Sequence, residues 1–240
     1  MRIPLFPAVL LAFGACSTTD NTELANVQVS FATQASAPAL SLVANDTINE
    51  GGNVLVITRA EIVLREIELK RVEQANCDTD ACEEFEAGPV LVNLPLGAGV
   101  QQRFALDIPP GSYNEIELDI HKPDDGDPVD QAFVAANPAF ADISIRVQGT
   151  WNGQPFTYTS DLNVEQELAL TPVLQIVDDA SSTNLTILLD IRTWFRDEAG
   201  VLINPADANK DGPHESIVRN RIQNSVEAFE DRDHDGGDDH

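Results

Sequence analysis

Segments in which apolar and polar residues alternate run through most of this 240-residue sequence. Val27, Val29 and Phe31 alternate with polar neighbours, and the segment QQRFALDI at 101–108 repeats the pattern. A period of two puts successive side chains on opposite faces of a strand, so that one face is buried while the other meets water. Turn residues separate these segments at short intervals. The pattern predicts a mainly β fold, a sandwich or a barrel, and we expect an antiparallel β-sandwich.

Three local features refine this prediction. Asn152-Gly153 separates two alternating segments and is typical of a β-hairpin turn. In PPGSY, Pro110 presets φ and Gly111 can adopt positive φ, which predicts a turn before a return strand. Residues 54–72 fit helical spacing as well as alternation. The β-branched residues at the start of this stretch favour strands, with a bulge or bend at Arg65-Glu66.

The first residues, MRIPLFPAVLLAFGAC, have the features of an export signal. A positive charge at Arg2 precedes an apolar run that is too short to span a bilayer, and small residues follow it. The ending LAFGAC resembles the lipobox of bacterial lipoproteins. This resemblance implies a signal peptide at 1–15, a lipid-modified Cys16 and a polar tether at 16–24. Ordinary secretion is the alternative.

The residue after the cysteine bears on the destination of the protein. Ser17, where an aspartate would direct retention, resembles the outer-membrane sorting pattern of enteric bacteria. The resemblance implies a lipid-anchored protein of the cell envelope, held at the outer membrane.

The charge balance excludes one class of partner. The chain has 40 acidic and 14 basic residues and a net charge of -26. Such a surface repels the phosphates of nucleic acids and attracts cations and basic partners. We therefore expect no nucleic-acid binding, and the charge serves either solubility alone or a role linked to cations.

The sequence CDTDAC places Cys77 and Cys82 between two predicted strands. In an oxidising compartment such a pair closes a small loop as a disulfide. Two thiolates without nearby histidines supply at best half of a zinc site, so we expect the disulfide.

The alternating pattern stops after residue 203, which bounds a predicted sandwich domain at 25–203. Residues 204–230 predict a loop and an amphipathic helix that packs on the sandwich, with Pro213 at the first helical position. Trp194-Phe195 is expected to pin this helix. Residues 231–240 have nothing to bury and predict an acidic, disordered tail. The apolar stripe of the helix consists of Val218, Ile222, Val226 and Phe229.

A motif Asp-x-Asn/Asp-x-Asp-Gly occurs twice, as DANKDG at 207–212 and DRDHDG at 231–236. Both windows resemble the calcium loops of EF-hands and dockerins, in which loop positions 1, 3, 5, 7, 9 and 12 supply oxygen ligands and glycine occupies position 6. The resemblance implies two sets of calcium ligands. The first set is Asp207, Asn209, Asp211, Pro213 through its carbonyl, and Glu215; the second is Asp231, Asp233 and Asp235, with Asp239 at position 9.

Neither window has the bidentate glutamate expected at position 12. Val218 occupies that position in the first window, and the sequence stops before it in the second. We rank the first window above the second and expect weak affinity. The alternative is that the first window makes a turn and presents acids to a helix N-terminus, while the second is a solvated tail.

Two further groups are candidates for binding. The segment HKPDDGDPVD at 121–130 gathers aspartates near His121 and is either a cation site or an ordinary acidic loop. Trp151 at the hairpin tip and Tyr158 are either a platform for a sugar ring or part of the core.

The succession VITRAEIVLREIEL, LVNLPLG and FALDIPPGSYNEIELDIHKP resembles a domain of unknown function found in bacterial lipoproteins. The resemblance covers roughly residues 25–191 and implies a transthyretin-like or immunoglobulin-like β-sandwich. It implies no catalytic residues.

The sequence contains no Gly-x-Ser-x-Gly, no His-Glu-x-x-His and no phosphate-binding loop, and we expect no enzymatic activity. The leading hypothesis is a lipid-anchored binding or structural module with an unidentified protein or glycan partner. One alternative is a carbohydrate-recognition module of an outer-membrane uptake system, against which the aromatic content of 6% counts. A hydrolase of unrecognised type is the third hypothesis.

The resemblance at Cys16 generates a direct prediction. The wild-type protein should partition into the detergent phase because its cysteine carries acyl chains, and Cys16→Ser should move it to the aqueous phase. Phase partition followed by mass spectrometry of the N-terminal peptide measures both. Recovery of the wild type as a soluble, unacylated protein would contradict the prediction.

Overall fold

The computed structural model describes residues 24–34, 45–72, 83–97, 99–177 and 183–239. Cys16, Cys77 and Cys82 lie outside these residues, as does the signal segment. The predictions of lipidation and of a disulfide therefore stay predictions.

The described residues form eleven strands and two α-helices. The strands are Ala25–Ala32 (β1), Asp46–Glu50 (β2), Asn53–Arg71 (β3), Glu83–Asn93 (β4), Val100–Ile108 (β5), Gly111–Ile120 (β6), Ile145–Trp151 (β7), Gln154–Ser160 (β8), Val164–Ile176 (β9), Thr183–Leu189 (β10) and Val226–Glu230 (β11). The helices are Pro128–Ala136 (α1) and Glu215–Gln223 (α2).

The strands form two sheets. The smaller sheet has the order β11-β10-β1-β5, and the larger has the order β8-β7-β3-β6-β9 with β2 and β4 also paired to β3. All pairs are antiparallel except β1 with β10, which are parallel. Apolar side chains of both sheets form one core, so the prediction of a mainly β sandwich with a C-terminal helix is confirmed.

The 19-residue strand β3 organises the larger sheet. Its first half pairs with β2 and β7, and its second half pairs with β4 and β6. The register with β4 shifts between Leu64 and Glu66, at the position where the sequence predicts a bulge. The strand interpretation of residues 54–72 is therefore confirmed.

The two predicted turns have different roles. Asn152 and Gly153 have φ of 51° and 79°, as the hairpin joining β7 and β8 requires. The PPGSY turn joins β5 to β6, which belong to different sheets. It therefore carries the chain across the sandwich, and β6 is not a hairpin partner of β5. The Tyr113 hydroxyl donates to the Pro109 carbonyl at 2.8 Å and fixes this crossing.

Helix α1 lies in a segment whose sequence predicts only an acidic loop and the connection after it. The Asp127 side chain accepts from the Val129 N–H at 2.8 Å, and Pro128 occupies the first helical position. Phe133 of this helix and Phe140 after it pack on Val63, on the face of β3 that points away from the main core. Among the described residues, no helix has the length and apolar content that a bilayer crossing needs.

The C-terminal helix is shorter than predicted. Val218 and Ile222 are buried as expected, but α2 ends at Gln223. Val226 and Phe229 lie instead in β11, which pairs antiparallel with β10. The reason is that β10 offers an open row of backbone groups, which a strand satisfies and a helix does not.

Trp194 and Phe195 pack where the two sheets and α2 meet. Both side chains are buried, and the Trp194 Nε1–H donates to Ser225 Oγ at 2.7 Å, just after α2. The Phe195 ring makes edge contacts with Phe156 and Tyr158 of β8. These contacts hold the C-terminal segment to the sandwich, as the sequence analysis expects of this pair.

The contact between β7 and β3 generates a test of the fold. A Cβ at Gly149 would lie 1.9 Å from the carbonyl oxygen of Val56. Gly149→Ala should therefore lower the free energy of unfolding by about 3 kcal/mol, as overpacking does. Gly99→Ala is the matched control, because a Cβ there meets no atom within 4 Å, and should change it by less than about 0.5 kcal/mol. Urea unfolding measures both; equal effects would contradict this packing.

Candidate functional site

The first predicted calcium window lies against the edge strand β8. The Asn209 side chain bridges two residues of β8: its Oδ1 accepts from the Thr159 N–H at 2.9 Å, and its Nδ2 donates to the Thr157 carbonyl at 3.2 Å. This amide thus satisfies backbone groups that a further strand would otherwise pair with. The Asn209 oxygen is therefore committed to the sheet.

The acidic residues of this window serve the turn before α2. Glu215 accepts from the Asp211 N–H at 2.7 Å. A Cβ at Gly212 would lie 2.4 Å from the Asp207 carbonyl oxygen, so the tight turn requires glycine. Within the described residues, two groups of three acidic side chains converge to within 4.8 Å, and neither includes this window. The carboxylates of Asp207, Asp211 and Glu215 in the predicted ligand set therefore do not form such a group.

The second window does converge. Carboxylate oxygens of Asp231, Asp233 and Asp239 all lie within 4.8 Å of one another. Asp231 is fully buried, while Asp233 and Asp239 are exposed. Of the two windows, the second is therefore the one whose carboxylates converge.

Asp231 is fixed by the sheet and by its own loop. Its Oδ2 accepts from the Thr186 hydroxyl at 2.8 Å and from the Gly236 N–H at 3.1 Å, and its Oδ1 accepts from the Asp235 N–H at 3.1 Å. Its carbonyl accepts from Asn184 Nδ2 at 2.9 Å. These four bonds hold the first ligand position of the loop rigid.

The residues around Asp231 differ from the sequence prediction of a disordered tail. Residues 231–239 form a compact loop in which His234 and Gly236 have φ of 59° and 82°. Asp235 uses its side chain to accept from the Gly237 N–H at 2.7 Å, and Asp239 takes the third place in the converging group. Buried polar groups of β10 bind Asp231, the first residue of this segment.

Sequence reasoning missed Thr186 and Asn184. They stand in the apolar strand segment TNLTILLDI, and both are buried. A polar side chain on a buried strand needs a hydrogen-bond partner. The two polar residues in this apolar segment could therefore have predicted that another polar group packs against the strand.

A second acidic group, also missed, lies on β6 and β9. Carboxylates of Glu117, Glu165 and Glu167 converge to within 4.8 Å beside a cavity of about 200 Å³. Lys70 forms ion pairs with Glu115 and with Glu117 and neutralises part of this charge.

The segment 121–130 uses its charges to hold α1. His121 Nε2 and Asp130 Oδ2 are 2.7 Å apart and both side chains are buried. The same carboxylate accepts from the Asp124 N–H at 2.6 Å. Burial raises the pKa of Asp130, but the Asp124 N–H and His121 outweigh it, so the pKa is lowered on balance. Arg65 pairs with the helix cap Asp127 at 3.0 Å.

The two predicted aromatic ligands do not form a platform. Tyr158 is 1% exposed and its ring packs on Phe195. Trp151 is half-buried and packs against the core. Stacking on a sugar requires exposed, coplanar rings, and Tyr158 does not provide one.

Comparisons with known proteins do not assign a family. No protein-family model, no curated protein and no solved structure matches this chain.

The buried pair under α1 predicts a pH dependence. Because the pKa of Asp130 is lowered by folding, its carboxylate stabilises the fold fully above its ordinary value of 3.8, and this contribution is lost as the pH falls through the lowered value. Asp130→Asn should cost about 2 kcal/mol at pH 7 and should flatten the loss of stability below about pH 4.

Urea unfolding of the wild type and the variant at neutral and acid pH measures this difference. Asp125→Asn is the control, because Asp125 lies exposed in the same segment. An acid dependence of the Asp130 variant as steep as that of the wild type would contradict the assignment.

Proposed function

We propose that this chain is a non-catalytic protein of the cell envelope, lipid-anchored through Cys16, whose sandwich is a binding or structural module and whose C-terminal loop binds calcium. The observation that carries the calcium proposal is the convergence of Asp231, Asp233 and Asp239. The lipobox-like ending at residues 11–16 supports the anchor.

The chemistry of the converging oxygens suits a hard cation. Calcium takes six to eight oxygen ligands from carboxylates, carbonyls and waters, whereas zinc prefers sulfur and nitrogen. Asp231 would supply a fixed oxygen from the interior, and Asp233 and Asp239 would close on the ion from the exposed side. Burying a carboxylate next to two others is unfavourable without a cation, and binding relieves this repulsion.

The expected affinity follows from the ligand count. Three converging carboxylates on an exposed loop correspond to the weak calcium sites of extracellular modules, with Kd of about 0.1–1 mM. The net charge of -26 raises the local cation concentration and favours occupancy.

Calcium at this loop would have a structural role. The loop follows β11 directly, and Asp231 is bound to Thr186 and Asn184 of β10. An ion held by Asp231 would therefore clamp the edge of the smaller sheet, where β11 contributes only five residues.

The proposal predicts a calcium-specific stabilisation. A ligand that binds only the folded state adds about 2.7 kcal/mol at a hundredfold excess over Kd, so millimolar calcium should raise the melting temperature, and magnesium should raise it less. The double variant Asp233→Asn, Asp239→Asn should lose this increment. Thermal unfolding with and without EDTA, and calorimetric titration with calcium, measure it.

The first window provides the matched control. The double variant Asp207→Asn, Asp211→Asn should keep the calcium increment, because its carboxylates do not converge. The proposal is wrong if calcium produces no heat and no shift, or if the control variant alone abolishes them.

A further inference from the structure

The predicted lipid tether joins the sandwich at one end. β1 begins at Ala25, which pairs with Ile108 at the end of β5, and Pro109-Pro110 leads from there into β6. The backbone N–H of Val72, just after β3, donates to the Ser112 carbonyl at 3.0 Å. The start of β1, the turn between the two sheets and the end of β3 therefore lie together, and we call this the anchor end.

Exposed apolar side chains concentrate at the anchor end. Of the seven large apolar side chains that are exposed among the described residues, four lie here: Leu24, Val72, Val173 and Val177. Leu24 directly precedes β1, and the last residues of β9 pair with the start of β6. Single exposed apolar residues are common on protein surfaces, but a group of four at one end of a domain indicates a contact surface.

Three of these side chains share an area of uncharged residues on the outer face of the larger sheet. Ser112 of β6 pairs with Gln175 of β9, and their side chains are hydrogen-bonded at 2.8 Å. Val72 lies beside Ser112. Val173 and Val177 stand two positions before and after Gln175, so the alternation of the strand puts them on the same face.

This area differs in charge from the rest of the same face. Farther from the anchor end, Glu117 pairs with Glu167, and Asp119 pairs with Glu165. The phosphates of a bilayer surface repel such carboxylates, whereas apolar side chains enter the boundary between headgroups and acyl chains. The uncharged end of the face is therefore the part that suits contact with a membrane.

The tether limits the distance between the anchor end and the membrane. Cys16 and Leu24 are eight positions apart. An extended chain spans at most about 3.5 Å per residue, so an acylated Cys16 holds Leu24 within about 28 Å of the bilayer surface. The opposite end of β3, at Val54, is roughly 60 Å from Val72 along the strand. The tether therefore keeps the exposed apolar group next to the bilayer.

We propose that the anchor end rests on the bilayer that holds Cys16, with Leu24, Val72, Val173 and Val177 in the headgroup boundary. This inference rests on the proposed lipid anchor and adds an orientation to it. The strands stand away from the membrane, and the acidic part of the larger sheet and the β7–β8 hairpin are turned toward the surrounding solution.

A tryptophan at an exposed valine tests this contact. Val177→Trp places the probe at the anchor end, and Val54→Trp is the matched control, because Val54 is also exposed but lies at the opposite end. The acylated full chain is reconstituted in phosphatidylcholine vesicles, with and without bromine on the acyl chains near the headgroups. The emission of the wild type, from Trp151 and Trp194, is subtracted.

Bromine quenches tryptophan only at short range. It should lower the added emission of Val177→Trp about twofold, since interfacial apolar side chains lie about 5–10 Å into the headgroup boundary, and should leave that of Val54→Trp unchanged. Equal quenching of the two variants would overturn the inference. A blue-shifted Val177→Trp emission that bromine does not quench would also overturn it, because a second protein copy would then cover the area.

Flotation of the same vesicles separates the anchor from the contact. A chain that floats with the vesicles but shows no quenching of Val177→Trp has the anchor and not this orientation, so the inference alone is wrong. A chain that does not float contradicts the anchor, and the inference is then wrong as well.

Charge substitutions assign the contact to the exposed apolar group. In the Val177→Trp background, Val72→Asp with Val173→Asp should restore most of the quenched emission, because carboxylates stay in water. Leu24→Asp, outside the sheet, should act in the same direction without any effect on strand pairing.

The matched control for these substitutions lies at the opposite end. Val54→Asp with Val201→Asp should leave the quenching as it is, since both residues are exposed and Val201 is in the loop that Arg196 ties to Glu50. The same quenching in Leu24→Asp, in the Val72 and Val173 variant and in the control would overturn the inference.

The melting temperature of each variant is measured alongside.

Discussion

The partner exchange along β3 is the constraint on which the rest of the structure depends. One strand of 19 residues satisfies its backbone groups against four others, β2 and β7 at its start and β4 and β6 at its end. The exchange takes place before the bulge, because β2 and β7 pair with β3 up to Ile57 and Ile62 while β4 and β6 pair with it from Glu61 and Leu64 onward. The bulge between Leu64 and Glu66 then bends and twists the strand within its pairing to β4. Before the bulge, the ordinary alternation of the strand places Val63 on the outer face under α1, while its neighbours Ile62 and Leu64 lie in the main core.

Much of this architecture follows from local sequence. Period-two alternation and the Asn152-Gly153 turn define β5, β7 and β8 because they report on single strands and on one hairpin. The partners of a strand are not local information. Val226 and Phe229 continue the helical spacing that begins at Val218, although a strand places them on opposite faces, and the open edge of β10 decides for the strand. Helix α1 had local signals in Asp127 and Pro128, which the acidic composition of its segment obscured.

The two Asp-x-Asn/Asp-x-Asp-Gly windows show the same limit at the level of a site. Their spacing is equivalent, but their contacts differ. Asn209 forms hydrogen bonds with the backbone of β8. Asp231, which follows β11, accepts a hydrogen bond from Thr186 of β10. Thr159 lies 50 residues before Asn209, and Thr186 lies 45 residues before Asp231. Spacing within a loop predicts which side chains could bind an ion, and distant contacts decide which of them remain available.

The central claim is that the acidic C-terminal segment is part of the sandwich and forms a preorganised loop around Asp231. Hydrogen exchange of the amides of β11 and of Asp235 and Gly236 tests it most directly, in EDTA and then with calcium. We expect these amides to be protected without metal, with β11 close to its partner β10, and the loop amides to slow further when calcium is added. Exchange of residues 226–239 at the rate of an unfolded peptide, while β10 stays protected, would contradict the claim.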